Sequence, residues 1–149
     1  MSSSYLTAIH LMTYLAHKQD SSVLVTSEEL ATTISHNAVV VRRLVSKLKE
    51  AGLVDTVRGK HGGFRLSRSA SDICLLAVFR AIEGNDPDLF SLANMDKRTG
   101  CSPIVNSIQE TLNDLLRQSL DVMKSDLATH SVNDILNKSL AQINITRCS

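Results

Sequence analysis

Cysteine and histidine are the residue types in this sequence with the most reactive side chains. The cysteines, Cys74, Cys101 and Cys148, lie far apart and form no short-spaced pair. An odd number of widely spaced cysteines is not the pattern of a disulfide framework, so free thiols are expected. The five histidines show no paired metal-ligand spacing, and the sequence therefore predicts no stable metal site.

Positive charge is concentrated in one stretch of the chain, residues 38–68. This stretch holds eight basic and two acidic residues, a net charge of +6, whereas the whole chain has a net charge of +1. The flanking segments are both acidic, with net charges of −2 over residues 1–37 and −3 over residues 69–149. Such a concentration is typical of a surface that binds a polyanion.

Periodic apolar spacing predicts the helices that position this charge. Apolar side chains every three or four residues over 5–16 indicate a first helix. Thr26 and Glu29 match a capping box for a short second helix. A third helix is expected over 38–51, with Gly52 as its C′ residue. Two short helices joined by a three- or four-residue turn are the arrangement of a helix-turn-helix.

Extended runs over 53–57 and 64–67 flank a basic, glycine-rich turn and predict a β-hairpin, or wing. Glycines in the turn supply the positive φ angles that it needs. A further helix, apolar on nearly every side, is expected over 73–83. The predicted fold class is mainly α with a small β-hairpin wing: a winged helix-turn-helix plus a long C-terminal dimerisation helix.

The C-terminal part of the chain is predicted to hold that long helix. Ser102 and Pro103 mark its start, and an apolar stripe then continues over about six turns. A short last helix over 131–137 and a frayed tail follow. The predicted parts are a DNA-binding domain over 1–84, a loop over 85–102 and a dimerisation region over 103–149. The stripe residues expected to meet a second copy are Ile104, Ile108, Leu112, Leu115, Leu120 and Met123. Packing of the stripe against the chain's own first helix is the alternative.

The third helix is amphipathic, with Val41, Leu44, Val45 and Leu48 as its inward stripe. Its opposite face can enter the major groove of double-stranded DNA, where Arg reads guanine and Val contacts the thymine methyl group. Residues near its N-terminus are candidates for base edges, and the later lysines and the wing for phosphates. The candidate DNA-binding residues are His36, Asn37, Val39, Arg42, Arg43, Lys47, Arg58, Lys60 and His61.

The segment after the predicted helix-turn-helix resembles a known family. It reads A-G-L-V over 51–54, R-G over 58–59 and G-G-F over 62–64, with Leu66 two residues later. This order is similar to the characteristic stretch of the Rrf2 family of bacterial winged helix-turn-helix regulators, and the similarity extends over nearly the whole chain. The resemblance implies a homodimeric transcription factor, with a long dimerisation helix after a sensor loop.

Several members of this family bind an iron–sulfur cluster through three cysteines of the sensor loop. The matching loop here offers only Cys101, and cluster binding needs several thiolates, so we predict no cofactor. Cys101 precedes a helix, where the dipole would favour a reactive thiolate, and Cys148 in the tail is a candidate resolving thiol. The two form a candidate redox switch. The alternative is an unreactive residue at a helix entrance and an incidental tail cysteine.

Other classes of protein fit the sequence less well. An enzyme is not expected, since there is no G-x-S-x-G, P-loop, H-E-x-x-H or apolar pair of carboxylates. A winged helix that binds proteins is the second alternative, but it would be expected to lose the positive charge that this chain keeps. A protein or small-molecule effector stays open. With no signal peptide and no run of about 18 apolar residues, the expected location is the cytoplasm, with no membrane association.

Overall fold

The structure is a computed structural model that describes residues 3–85 and 102–147. Its elements run helix, helix, helix, hairpin, helix, helix, helix, with a short 3-10 turn before the fourth helix. They are α1 Ser3–His17, α2 Ser27–Thr33, α3 Ala38–Glu50, β1 Val54–Val57, β2 Gly63–Leu66, the 3-10 turn Ala70–Asp72, α4 Leu75–Glu83, α5 Pro103–Leu127 and α6 Val132–Arg147. The predicted class, mainly α with a small β-hairpin, is confirmed.

Side-chain caps define where α2 and α3 begin. Thr26 precedes α2, and its hydroxyl oxygen accepts from the Glu29 N–H at 3.2 Å. Asn37 precedes α3, and its Oδ1 accepts from the Val39 N–H at 2.8 Å. Each cap satisfies a backbone donor that the first helical turn leaves unpaired. Both helix starts agree with the sequence prediction.

The turn between α2 and α3 contains a residue with a left-handed backbone. Ser35 has φ 53°, and the next N–H, of His36, donates to the Ala31 carbonyl at 2.9 Å. This 6→1 bond closes the C-terminus of α2 as a Schellman motif. Gly52, with φ 71°, closes the C-terminus of α3 in the same way. The N–H of Leu53 donates to the Leu48 carbonyl at 2.9 Å. Gly52 is therefore the C′ residue that the sequence predicts.

The hairpin, β1 with β2, forms the predicted wing and is joined by a third extended segment. Its register pairs Val54 with Leu66 and Thr56 with Phe64. Val25 forms an isolated antiparallel bridge with Phe64, through N–H···O distances of 3.2 and 2.8 Å. The bridge ties the wing to the segment that leads into α2, and the sequence analysis did not predict it.

Two boundaries in the C-terminal half differ from the prediction. Helix α4 begins at Leu75, because Ile73 and Cys74 are extended and pair with the segment before α6. The Val132 N–H donates to the Ile73 carbonyl at 2.9 Å. Helix α6 continues to Arg147, well beyond the short helix expected over 131–137, because its apolar face packs against α1.

The core lies between α1, α3, α4 and the hairpin, and α1 is at its centre. Leu11 and Met12 of α1 are fully buried, as is Phe79 of α4. The ring of Tyr5 meets Phe79 edge to face, with centroids 5.3 Å apart at 84°. Burial raises the pKa of Tyr5 to about 12. Over residues 3–85 and 102–147, no helix is long and apolar enough to cross a membrane.

Candidate nucleic-acid interface

Helix α3 buries one face and presents the other to solvent. Its buried side chains are Val41, Leu44, Val45 and Leu48, the stripe that the sequence predicts. On the opposite side, Val39 near the N-terminus is 68% exposed. An aliphatic side chain this exposed has no packing role within the chain. It is therefore available to a partner surface such as the floor of a major groove.

The two arginines of α3 differ in their surroundings. Arg42 forms an ion pair with Glu28 of α2 at 3.3 Å, and both side chains are mostly exposed. The Arg43 side chain is exposed, and its guanidinium has no hydrogen bond or ion pair within the described part of the chain. The backbone N–H of Glu28 and then the Ser27 hydroxyl lower the pKa of the Glu28 carboxyl, and Arg42 adds to this effect. Arg43 is thus the arginine of α3 that is ready to bind an anion.

The predicted residues before α3 make contacts of their own. The Thr7 hydroxyl donates to the Ser3 carbonyl at 2.9 Å, and its oxygen lies 3.1 Å from Nε2 of His36. Because the single hydroxyl proton is used, His36 must be the donor in the second bond. Asn37 uses its carbonyl oxygen to cap α3. No pattern in the sequence predicts the bond between His36 and Thr7, which are 29 residues apart.

Lys47 follows Arg43 by about one turn on the same face of α3, but it makes a contact with another helix. Its ammonium group donates to the main-chain carbonyl of Ile82, near the C-terminal end of α4, at 3.1 Å. A lysine amine at a helix C-terminus interacts favourably with the helix dipole. Lys47 is exposed, as Arg43 is, and it differs from Arg43 in its bond to α4.

The wing presents the other predicted basic residues. Arg58, Lys60 and His61 are exposed in the turn between β1 and β2. An added Cβ at Gly62 would collide with the backbone carbonyl oxygen of Val57. The turn thus needs glycine at this position in order to close and to present its basic side chains.

The predicted dimerisation residues of α5 fall into two groups. Ile104, Ile108, Leu112 and Leu115 are between 40% and 65% exposed. Leu120 and Met123 instead pack against the chain's own core. Val122 was not among the predicted residues, although it is 70% exposed and lies seven residues after Leu115. Heptad spacing along α5 is the signal that would have identified it.

The cysteine predictions are only partly covered by the structure. Cys101 and Cys148 lie outside the described residues, and Cys74, partly buried, precedes α4. In the described ranges, no three His, Cys, Asp or Glu side chains are grouped so that they could hold a metal ion. Cys74 is the cysteine of these ranges, and one thiolate does not fit an iron–sulfur cluster.

Comparisons with known proteins agree with this fold. The profile of the Rrf2 family, described as "Iron-dependent Transcriptional regulator", matches residues 1–138. YwnA of Bacillus subtilis (strain 168), named "Putative HTH-type transcriptional regulator", is 32% identical over 130 residues, which are 87% of this chain and 92% of YwnA.

Solved structures give the same result for the fold. A protein from Lactobacillus plantarum has a TM-score of 0.74 at 24% identity, over 97% of this chain and 91% of that chain. CymR, the global cysteine regulator of B. subtilis, has a TM-score of 0.61 at 21% identity, over 93% of this chain and 96% of that chain. Since the family profile matches nearly its whole length, this chain belongs to the Rrf2 family of transcriptional regulators.

Proposed function

We propose that this protein is a sequence-specific DNA-binding repressor that acts as a homodimer on a palindromic operator in the bacterial cytoplasm. The observation that carries the proposal is the exposed basic surface made by α3 and the wing. The strongest support within it is Arg43, which is exposed and has no partner among the described residues. Membership of a family of transcriptional regulators agrees with this function.

Each part of the surface has a separate role in the proposed complex. Helix α3 enters the major groove, where Arg43 donates to guanine O6 and N7 and Val39 contacts a thymine methyl group. Arg58, Lys60 and His61 of the wing lie along the phosphates or in the adjacent minor groove. Arg42 joins the phosphate contacts if its exposed ion pair with Glu28 opens, which costs little in high dielectric.

Dimerisation is proposed through the exposed apolar residues of α5. An uncovered stripe that includes Ile104, Ile108 and Leu115 is unfavourable in water, and a second copy would bury it. A two-fold dimer presents two α3 helices to half-sites about 34 Å apart, one turn of B-DNA, or a multiple of that distance. The operator is therefore expected to be palindromic.

Fluorescence anisotropy with DNA from upstream of the protein's own gene tests this function. We expect tighter binding than to a shuffled fragment, with log affinity falling linearly as log salt rises. Arg43→Ala and Arg58→Ala should each weaken binding by about tenfold, roughly 1.4 kcal/mol. Arg147→Ala, at the far end of α6, removes the same charge and is the control. Unchanged affinity in both test variants would show that α3 and the wing do not form the DNA-binding surface.

A further inference from the structure

A groove of about 550 Å³ lies on the side of the molecule formed by α1, the C-terminal end of α2 and α6. Its volume is within the range of sites that hold small organic ligands, which are mostly apolar with a few polar groups. The apolar part comes from α6 and the end of α2, and the polar part from α1. The residues that line the groove include His10, His17, Ile34, Leu136, Ser139 and Ile143.

The polar groups in this groove favour an anion over a cation. The imidazoles of His10 and His17 lie seven residues apart along α1, both exposed, and no carboxylate is among the residues that line the groove. One carboxylate contacts a residue of the lining: the Tyr14 hydroxyl donates to Oε1 of Glu29 at 2.8 Å. Tyr14 therefore offers its ring as an apolar wall. The amine of Lys18, which does not line the groove, lies 5.7 Å from the centre of that ring.

From this arrangement we propose that the groove binds a small organic acid with an apolar body. The acid group accepts hydrogen bonds from His10 or His17 at one end. The body packs against Leu136 and Ile143 of α6. Ile34 closes the end of the groove nearest to α2.

The same groove includes the turn that leads into α3. Thr33, Ile34 and Ser35 line it, and Ser35 has the left-handed φ of 53°. Asn37, the cap of α3, follows two residues later. A ligand that contacts α1, α6 and this turn together stabilises one position of the turn, and it thereby shifts the orientation of α3. This coupling rests on the proposed DNA-binding function, whereas the ligand site does not.

The site is tested with anilinonaphthalene sulfonate, an aromatic probe with an acid group, titrated into the full chain and followed by fluorescence. We expect saturable binding that is weakened by about tenfold in Ser139→Trp, because the indole fills the groove. The double variant His10→Ala/His17→Ala, which leaves the apolar part intact, should also bind more weakly. Asn137→Trp adds the same indole to α6 outside the groove and should bind as the unmodified chain does. If both groove variants bind the probe as tightly as the unmodified chain does, the proposal is overturned.

Competition for the probe shows whether the groove prefers an acid or binds any apolar ring. Phenylacetate should displace the probe, whereas phenethylamine, with the same ring and a cationic head, should not. Equal displacement by both would overturn the acid preference. If a second copy of the chain fills the groove, the probe will not bind, and Ser139→Trp will change the oligomeric state measured by light scattering. That result would also overturn the proposal.

The coupling is tested by repeating the DNA titration with saturating phenylacetate. We expect a change in operator affinity of about threefold or more, absent in Ser139→Trp. Probe binding without any change in DNA affinity would overturn the coupling but leave the site. Probe binding by a chain that never distinguishes an operator from other DNA would instead count against the proposed function.

Discussion

The ammonium group of Lys47, on α3, donates to the carbonyl oxygen of Ile82, near the end of α4, at 3.1 Å. From the other side, Lys124 of α5 donates to the carbonyl oxygen of Asn85 at 3.0 Å. The C-terminal end of α4 is thus held both by the helix proposed to read DNA and by the helix proposed to dimerise. A shift of the C-terminal end of α4 would therefore move or strain both α3 and α5.

Lys47→Met should separate a positioning role from a phosphate contact. Loss of the bond to Ile82 is expected to lower the free energy of unfolding by about 1 kcal/mol. If Lys47 only positions α3, DNA affinity should fall while the slope of log affinity against log salt stays the same. A phosphate contact would instead reduce that slope by about 1. Lys49→Met, the next lysine of α3, is the matched control for stability.

Short-range chemistry explains why much of the fold was predictable from the sequence. Thr26, Asn37 and Gly52 act on backbone groups within a few residues, so their types and positions indicate the helix ends directly. The bridge between Val25 and Phe64 has no such signal, because a single residue pair leaves no periodic pattern. The length of α6 was missed because its apolar face is interrupted by polar residues and becomes clear only against α1.

The candidate site was predictable to a similar degree. Helical periodicity correctly separated the buried stripe of α3 from its exposed face, where Arg43 lies. Periodicity says nothing about which neighbour an exposed side chain will reach. The bonds from His36 to Thr7 and from Lys47 to Ile82 depend on how distant helices pack, so they required the structure.

Ser35→Gly should stabilise the protein. Ser35 has a left-handed φ of 53°, a conformation that is strained for any residue with a Cβ. Glycine has no Cβ and adopts the same conformation without this strain. We expect the free energy of unfolding in urea to rise by roughly 0.5–1 kcal/mol, with an unchanged m-value. Ser46→Gly, at an exposed position inside α3, should lower it by a similar amount. A loss of stability in Ser35→Gly would contradict this account of the turn.

Asp134→Asn should lower stability at neutral pH and by less in acid. The Ser131 N–H donates to the Asp134 carboxylate at 2.8 Å, and this bond and the Ser131 hydroxyl lower the pKa of Asp134 from 3.8. A carboxyl with a lowered pKa binds fewer protons folded than unfolded, so its contribution is present above pH 3.8 and is lost as pH falls through the folded pKa. Urea unfolding from pH 7 to pH 3 measures this. Asp121→Asn, which makes the same substitution on α5, is the matched control for the loss of one carboxylate.

Cys101→Ser should abolish any response of DNA binding to peroxide, if the predicted thiol switch operates. Anisotropy titrations before and after oxidation measure the response. Cys74→Ser, at a partly buried position before α4, is the matched control and should keep it. A full response in Cys101→Ser would exclude the switch.

Anaerobically purified protein is also expected to lack the visible absorbance of an iron–sulfur cluster.

Leu115→Glu should convert the proposed dimer to a monomer without unfolding the chain. The Leu115 side chain is 54% exposed within one chain, so a carboxylate there costs little until a second copy buries it. Light scattering should show the loss of the dimer, and circular dichroism should show unchanged helix content. Operator affinity should fall steeply, because one α3 reads only half of a palindrome. Arg117→Glu makes a larger charge change on the opposite face of α5, and it should remain dimeric. A monomer in both variants would point to net charge, rather than the exposed stripe, as the cause.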